Sequence, residues 1–403
     1  MAEHMEVAEP PRLVTPAFVL VTASTFAYFV GIGMQAPVLP LFVRGPLGGS
    51  DTVVGVVVGA WGITAVLVRP WAGRLADLHG RRLLMLVGAT VAGLSVALYA
   101  VAEAWWLLLV FRLLTGAGEA LFFVGGMTVI TDLAPEDRRG EALSIFSLGL
   151  FGGIAVGPVI GEFVLMRADF TMVWLVGAAT GLLAGLAVVT LHDTRPEGAA
   201  TQPRGRVIHP AGLMPALILF TNVCGQAGFH AFVALYALEL GLPGAGLVFV
   251  TFSVVMLSVR SIGAKLPDRL GHKRSALTAL IVSPLGLVVM AAAPTPAGLF
   301  VGTAVFAGGQ SLAFPAIMSL AVGQVRAVER GAVVGTVTAS VDVAFAAGAA
   351  ALGVIAGVLG YRGAFVAAAV AGLIGFVLLL RYHPETRREV SAATVTGPEP
   401  TVW

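Results

Sequence analysis

Arg112 and Glu119 stand seven residues apart in an otherwise apolar run, 105–131. That spacing puts them two turns apart on one face of a helix. Ionisable groups inside such a run cost several kcal/mol unless they meet a partner or a polar cavity. The pair therefore points either to a structural contact, the arginine satisfied by a carboxylate or by carbonyls, or to a site that moves a proton or holds an anion. Asp342 poses the same question, about eleven residues into the run 331–358 and so ~16 Å along a helix rising 1.5 Å per residue. Gln35, Asn222, Gln226, His230 and Gln310 add amide and imidazole groups within other apolar runs. Each can tie two helices together, for about 0.6 kcal/mol, or contact a bound molecule. Tyr28, Phe29, Met34, Phe123, Met127, Phe229, Phe306 and Phe314 supply apolar surface around them, for a cavity lining or for helix packing. A cavity of that make-up suits a lipophilic compound better than a sugar. Nucleotide-phosphate loops, metal-ligand spacings and a Ser-His-Asp arrangement are not found, so no enzyme, metal or cofactor is expected.

The elements that must position these residues are set by composition. Of 403 residues, 58% are hydrophobic and 11% charged, with a mean hydropathy of +0.93, against roughly 25% charged in ordinary soluble domains. So few charges cannot cover a water-soluble fold of this size, so the bilayer is the solvent. Runs able to cross ~30 Å of hydrocarbon fall at 13–43, 52–75, 83–104, 105–131, 141–165, 171–192, 211–238, 246–267, 275–294, 296–324, 331–358 and 361–382. The expected fold is an all-α membrane protein of twelve transmembrane helices. With both termini inside, cytoplasmic segments hold eighteen Lys and Arg and the outer loops hold Arg44, Arg167 and Arg362, which fixes the expected orientation. The first twelve residues are polar and acidic with no basic region, so no cleavable signal peptide is expected. The net charge of +2, spread over inner loops, gives no nucleic-acid footprint. Cys224, the single cysteine, reads as a small packing residue.

A shift of 191 residues lays the chain on itself. Gln35 meets Gln226, Arg69 meets Arg260, Asp77 meets Asp268, Gly80 meets Gly271, Arg139 meets Arg330 and Gly157 meets Gly348. A six-helix unit was duplicated. The expected organisation is an N-terminal bundle, 1–192, a cytoplasmic linker, 193–210, a C-terminal bundle, 211–382, and a polar tail, 383–403. An even number of helices per unit predicts bundles related by a pseudo-two-fold along the membrane normal, with the solute path between them.

Between runs 2 and 3 the chain reads Gly73-Arg-Leu-Ala-Asp77-Leu-His-Gly80-Arg81-Arg82, and its repeat reads Leu266-Pro-Asp268-Arg-Leu-Gly271-His-Lys-Arg. This pattern resembles the signature loop of the major facilitator superfamily. Run 4 carries Arg112-Leu-Leu-Thr-Gly116-Ala-Gly118-Glu119, similar to that family's arginine-containing helix 4 motif. Run 5 carries Gly153-Ile-Ala-Val-Gly157-Pro158-Val-Ile-Gly161-Glu162, which looks like the glycine-proline motif of the drug:proton antiporters, with Glu162 where a second glycine is usual. The resemblance implies a secondary active transporter of the bacterial cytoplasmic (inner) membrane, exporting drugs or natural products against protons. It further implies that helices 1, 4, 7 and 10 face the cavity. Glu119 is then the first candidate for the proton carrier, with Arg112 tuning it or binding an anionic group, and Asp342 either carries protons or locks the bundles through Arg69. Asp77, Arg81, Arg82 and Asp132 are expected to form a cytoplasmic gate with their repeat, Asp268 and Gly271, while Gly153, Gly157, Pro158 and Gly161 form a small, flexible face expected to pack on helix 8. Near the outer end, water can solvate Glu162, so glycine there is expected to be tolerated. Other readings are proton-linked or facilitated uptake of a nutrient, and a receptor or scaffold that keeps the fold without transport. The chain is expected to act as a monomer on a small molecule and protons within the bilayer. Two lysines among 24 basic residues, with heavy Ala, Gly and Val use, suggest a GC-rich bacterial genome.

Overall fold

The computed structural model of the protein describes residues 13–135, 138–194, 208–262, 271–326 and 329–382. In chain order the helices are α1 (Pro16–Arg44), α2 (Asp51–His79), α3 (Arg81–Leu98), α4 (Trp105–Leu133), α5 (Arg139–Arg167), α6 (Phe170–Val188), α7 (Pro210–Glu239), α8 (Gly246–Ile262), α9 (His272–Ala292), α10 (Pro296–Val322), α11 (Arg330–Val343) and α12 (Ala349–Arg381). A π-helical turn, Ala344–Gly348, joins α11 to α12 without a break. α12 itself reverses at Gly360, whose φ of 71° suits glycine. The stretch 330–381 therefore holds two crossings, and with the shorter α8 the described helices supply the twelve expected. Leu67, Val159, Leu183, Leu247 and Val370 point outward, as helices that are apolar all round require in lipid. Thr15, Asp169 and Thr295 accept backbone N–H bonds at the starts of α1, α6 and α10, where four donors otherwise lack partners.

One expected boundary is corrected. The second run was read as ending at 75, but α2 continues to His79 and α3 begins at Arg81, leaving Gly80 as the only non-helical residue between them. Apolar character ends where water begins; the helix does not have to. Gly80 turns the chain with φ 98°, and Gly271 does so before α9 with φ 82°.

The described residues fall into two compact units. The first takes in residues 13–49, 63–194 and 244–250, and the second 50–62, 208–243 and the described residues from 251 onward. Their internal packing obeys one plan. α1 packs on α4, α5 and α6, and α3 on α4 and α6; in the second unit α7 packs on α10, α11 and α12, and α9 on α10 and α12. Each repeat also lends the tip of its second helix to the other unit, 50–62 from α2 and 244–250 from the approach to α8.

Candidate functional site

In the first unit, Arg112 is 6% exposed and Glu119 8%. The Arg112 Nη1 donates to Gln35 Oε1 at 2.8 Å, and Gln35 Nε2 in turn donates to the Gly31 carbonyl at 3.3 Å. Glu119 has Arg69 as an ion-pair partner, Nη2 to Oε1 at 3.9 Å, too long for a hydrogen bond. The structure thus gives each member of the expected Arg112–Glu119 pair a partner on another helix. The Arg69 guanidinium also sits 5.2 Å over the Phe123 ring, Phe29 meets Phe123 edge-on, and Tyr28 stacks on Phe122 at 4.1 Å. Thr64 Oγ1 donates to the Leu113 carbonyl at 2.6 Å and fixes α2 against α4, which sets where Arg69 can reach. Met34 is fully buried, whereas Met127 is 37% exposed.

The second unit places amides where the first has charge. The 191-residue shift carries Glu119 onto Gln310 and Phe123 onto Phe314. Asn222 Nδ2 donates to Gln310 Oε1 at 2.8 Å, and Gln310 Nε2 returns a bond to the Asn222 carbonyl at 3.3 Å, locking α7 to α10. His230 Nδ1 donates to the Gln226 carbonyl at 2.8 Å, one turn earlier on α7, and its ring meets Phe229, Phe252 and Phe345. Phe314 is 36% exposed. Asp342 is 1% exposed and lies two residues before the π turn. Its backbone carbonyl lies against Gly62, and Gly59 and Gly55 pack on Phe345, Ala346 and Ala349 further along. This ridge of small residues on α2, spaced four and three apart, was legible in the sequence and passed over there.

At the predicted cytoplasmic end of the first unit, Arg81 is 4% exposed and gathers four contacts. Its Nε donates to Asp132 Oδ2 at 3.1 Å, its Nη2 lies 3.3 Å from Asp77 Oδ1, its Nη1 donates to the Ala76 carbonyl at 3.3 Å, and its backbone N–H donates to Asp193 Oδ1 at 3.1 Å. Thr194 Oγ1 also donates to Asp132, at 2.9 Å. The carboxylate at the amino end of α3 is therefore Asp193. Asp193 and Thr194, the first residues of the expected linker, belong to this cluster. Arg82 lies beside it, half-buried. A Cβ at Gly73 would meet no atom within 4 Å, so close packing does not explain that glycine. Asp268 lies outside the described residues.

The small face of α5 packs on α1 and not on α8 as expected. Cβ atoms built on Gly153, Gly157 and Gly161 would each lie 2.5 Å from a carbonyl of α1, those of Phe26, Val30 and Met34. The three glycines recur every four residues, one per turn, so they form a groove that takes the backbone of a neighbouring helix, and Gly33 on α1 supplies a second bare surface. Pro158 is buried in that seam. A second expectation also needs correction. Glu162 is not merely solvated: its Oε1 accepts the Ala245 N–H at 2.6 Å and its Oε2 the Gly246 N–H at 2.7 Å.

The Major Facilitator Superfamily pattern matches residues 21–244 and 215–403, which together span both repeats. An uncharacterised MFS-type transporter of Salmonella typhimurium is 30% identical over 376 residues, covering 90% of this chain and 96% of the relative. Another from Burkholderia mallei is 30% identical over 397 residues, covering 94% and 95%. Among solved structures, a bacterial homologue of the human lysosomal transporter Spinster, inward-facing and occupied, superposes with a TM-score of 0.78 at 15% identity, covering 90% of this chain and 95% of that one. A peptide transporter in complex with sulfate gives a TM-score of 0.77 at 14% identity, covering 90% and 93%. The repeated loop motif, the twice-used helix plan and the matches over both halves have one reading: the chain is a multi-pass membrane transporter of the major facilitator superfamily.

Proposed function

We propose that this transporter exports lipophilic small molecules from the bacterial cytoplasm in exchange for protons, by alternating access, with Glu119 as the proton carrier. The observation that carries the reading is a carboxylate 8% exposed in mid-α4 with a guanidinium 3.9 Å from it. In such a setting Arg69 favours the ionised form, and protonation abolishes that attraction. One proton then changes how firmly α4 is held to α2, which is the kind of coupling an exchanger needs: binding at one site altering the balance between conformations. Arg112, tied to Gln35, supports the field around Glu119 from one turn pair away. The apolar lining and the glycine-proline motif of α5 favour a lipophilic cargo and antiport over uptake of a polar nutrient. At the cytoplasmic end, Arg81 with Asp77, Asp132 and Asp193 acts as the inner fastening, with both termini on that side.

The test is Glu119→Gln in proteoliposomes, with ethidium as cargo and a pH-sensitive dye as proton reporter. The amide keeps shape and hydrogen bonding but cannot titrate, so pH-driven ethidium movement and proton flux should both vanish while ethidium exchange at equal pH persists. Undiminished pH-driven transport by the variant would refute the assignment.

A further inference from the structure

The 191-residue shift that relates the repeats carries Gly55 onto Gly246 and Glu162 onto Gly353. Both resulting pairs are contacts. In the second unit the tip of α2 lies backbone to backbone on the eleventh crossing. A Cβ on Gly353 would stand 3.2 Å from the Gly55 Cα, and Thr52 Oγ1 donates to the Gly353 carbonyl at 3.4 Å. In the first unit the equivalent place is filled by the Glu162 side chain, which reaches the amino end of α8 with both oxygens, at 2.6 and 2.7 Å. A methyl group at either Gly244 or Gly246 would collide with that carboxylate, so the approach to α8 is bare where the side chain lies across it.

The two seams therefore part at different cost. Separating the tip of α2 from the eleventh crossing forfeits dispersion contacts that are individually small and the long neutral hydrogen bond from Thr52. Separating Glu162 from α8 breaks two charge-assisted hydrogen bonds, roughly twice as strong as neutral ones, made to donors that have no partner within their own helix and that carry the positive end of its dipole. The donors are backbone groups, so no second side chain has to be ordered for the contact to reform.

We propose that Glu162 is an outer latch: its carboxylate fastens the amino end of α8 to α5 at the end of the bundle poor in basic residues, and that end opens only when the carboxylate lets go. Glu162 is thus a positioning residue for alternation, and it replaces with charge what its repeat achieves with bare backbone.

The experiment uses the full chain in lipid nanodiscs, with Cys224→Ala removing the native thiol and spin labels attached through Ala168→Cys and Glu239→Cys, both exposed. Glu162→Gly should raise the ratio of long to short label separations about tenfold, which corresponds to ~1.4 kcal/mol. Glu162→Gln keeps one acceptor and should give an intermediate shift. Gly246→Ala, which leaves the carboxylate but displaces it, should behave as Glu162→Gly. A purely structural role would lower thermal stability in these variants without moving the distance distribution, and that outcome would overturn the proposal. A glutamine variant indistinguishable from the parent would overturn the assignment to charge. Since the glutamine is nearly isosteric, it remains informative even if glycine prevents folding.

Discussion

Replacing Gly157 by alanine tests how much of the site depends on the α1–α5 seam. The added Cβ would stand 2.5 Å from the Val30 carbonyl oxygen and 2.6 Å from the Gly33 Cα, where ordinary contact begins at 3.4 Å. Both obstacles are helix backbone, so the helices must separate by ~0.9 Å. Overpacking of this kind costs about 1–3 kcal/mol. Gly33 lies two residues before Gln35, whose 2.8 Å bond to Arg112 would stretch to at most ~3.7 Å, the value reached if α1 took up the whole displacement along that bond, beyond hydrogen-bonding range. Transport should therefore fall by more than the loss of stability explains. Trp174, fully buried beside Phe42 and Tyr99 in the first unit, reports unfolding through its fluorescence. Gly140→Ala is the control: nothing lies within 4 Å of its Cβ, and alanine gains up to ~1 kcal/mol of helix propensity. A Gly157→Ala protein that melts and transports like the parent would refute the reasoning. Leucine at the same position should abolish transport or turn exchange into a leak.

Asp77→Asn is expected to slow turnover more than it weakens cargo binding, because the Arg81 cluster lies at the helix ends and acts on the balance between conformations; equal losses in ethidium binding and turnover, with unchanged accessibility labelling, would refute this. Asp193→Ala should act in the same direction, since it removes the acceptor for the Arg81 N–H. Alanine at Asn222 and at Gln310, singly and together, should give a coupling energy of about 0.6–1.7 kcal/mol in thermal unfolding, and additive effects would show that the Asn222 Nδ2–Gln310 Oε1 bond does not stabilise α7 against α10.

Crossing number and order were legible because lipid imposes long apolar runs and every backbone group must be bonded within the run. The ends were less so. Around Arg74–His79 the helix continues past the apolar stretch, and a hydropathy reading cannot register a helix that has already entered water. The π turn after Asp342 leaves no compositional mark, since Ala-Phe-Ala-Ala-Gly reads as ordinary helix. Which residues are polar and intramembrane was plain; who meets whom was not. Arg112 and Glu119 share a helix face, but the partners on α1 and α2 depend on helix rotation, fixed by packing at Gly157 and by the Thr64 bond. Asp193 escaped because its role comes from the fold bringing residue 193 back to residue 81, and Glu162 because a departure from a motif was weighed only as a loss of glycine.

Once the repeats are compared residue by residue, the duplication is seen to have kept geometry and divided chemistry. The same register on α4 and α10 holds Glu119 in one unit and Gln310 in the other, with Phe123 and Phe314 four residues on. An amide at that position makes a reciprocal, permanent pair with Asn222, because it both donates and accepts. A carboxylate only accepts while ionised, so the charge attraction between Glu119 and Arg69 is present in that form and not in the protonated one. Residue type alone thus makes one unit's central polar contact fixed and the other's conditional. The seams at the tips of α2 and α8 repeat the contrast, with backbone on backbone in the second unit and a carboxylate in the first. At both positions a carboxylate in the first unit stands where the second has an amide or bare glycine.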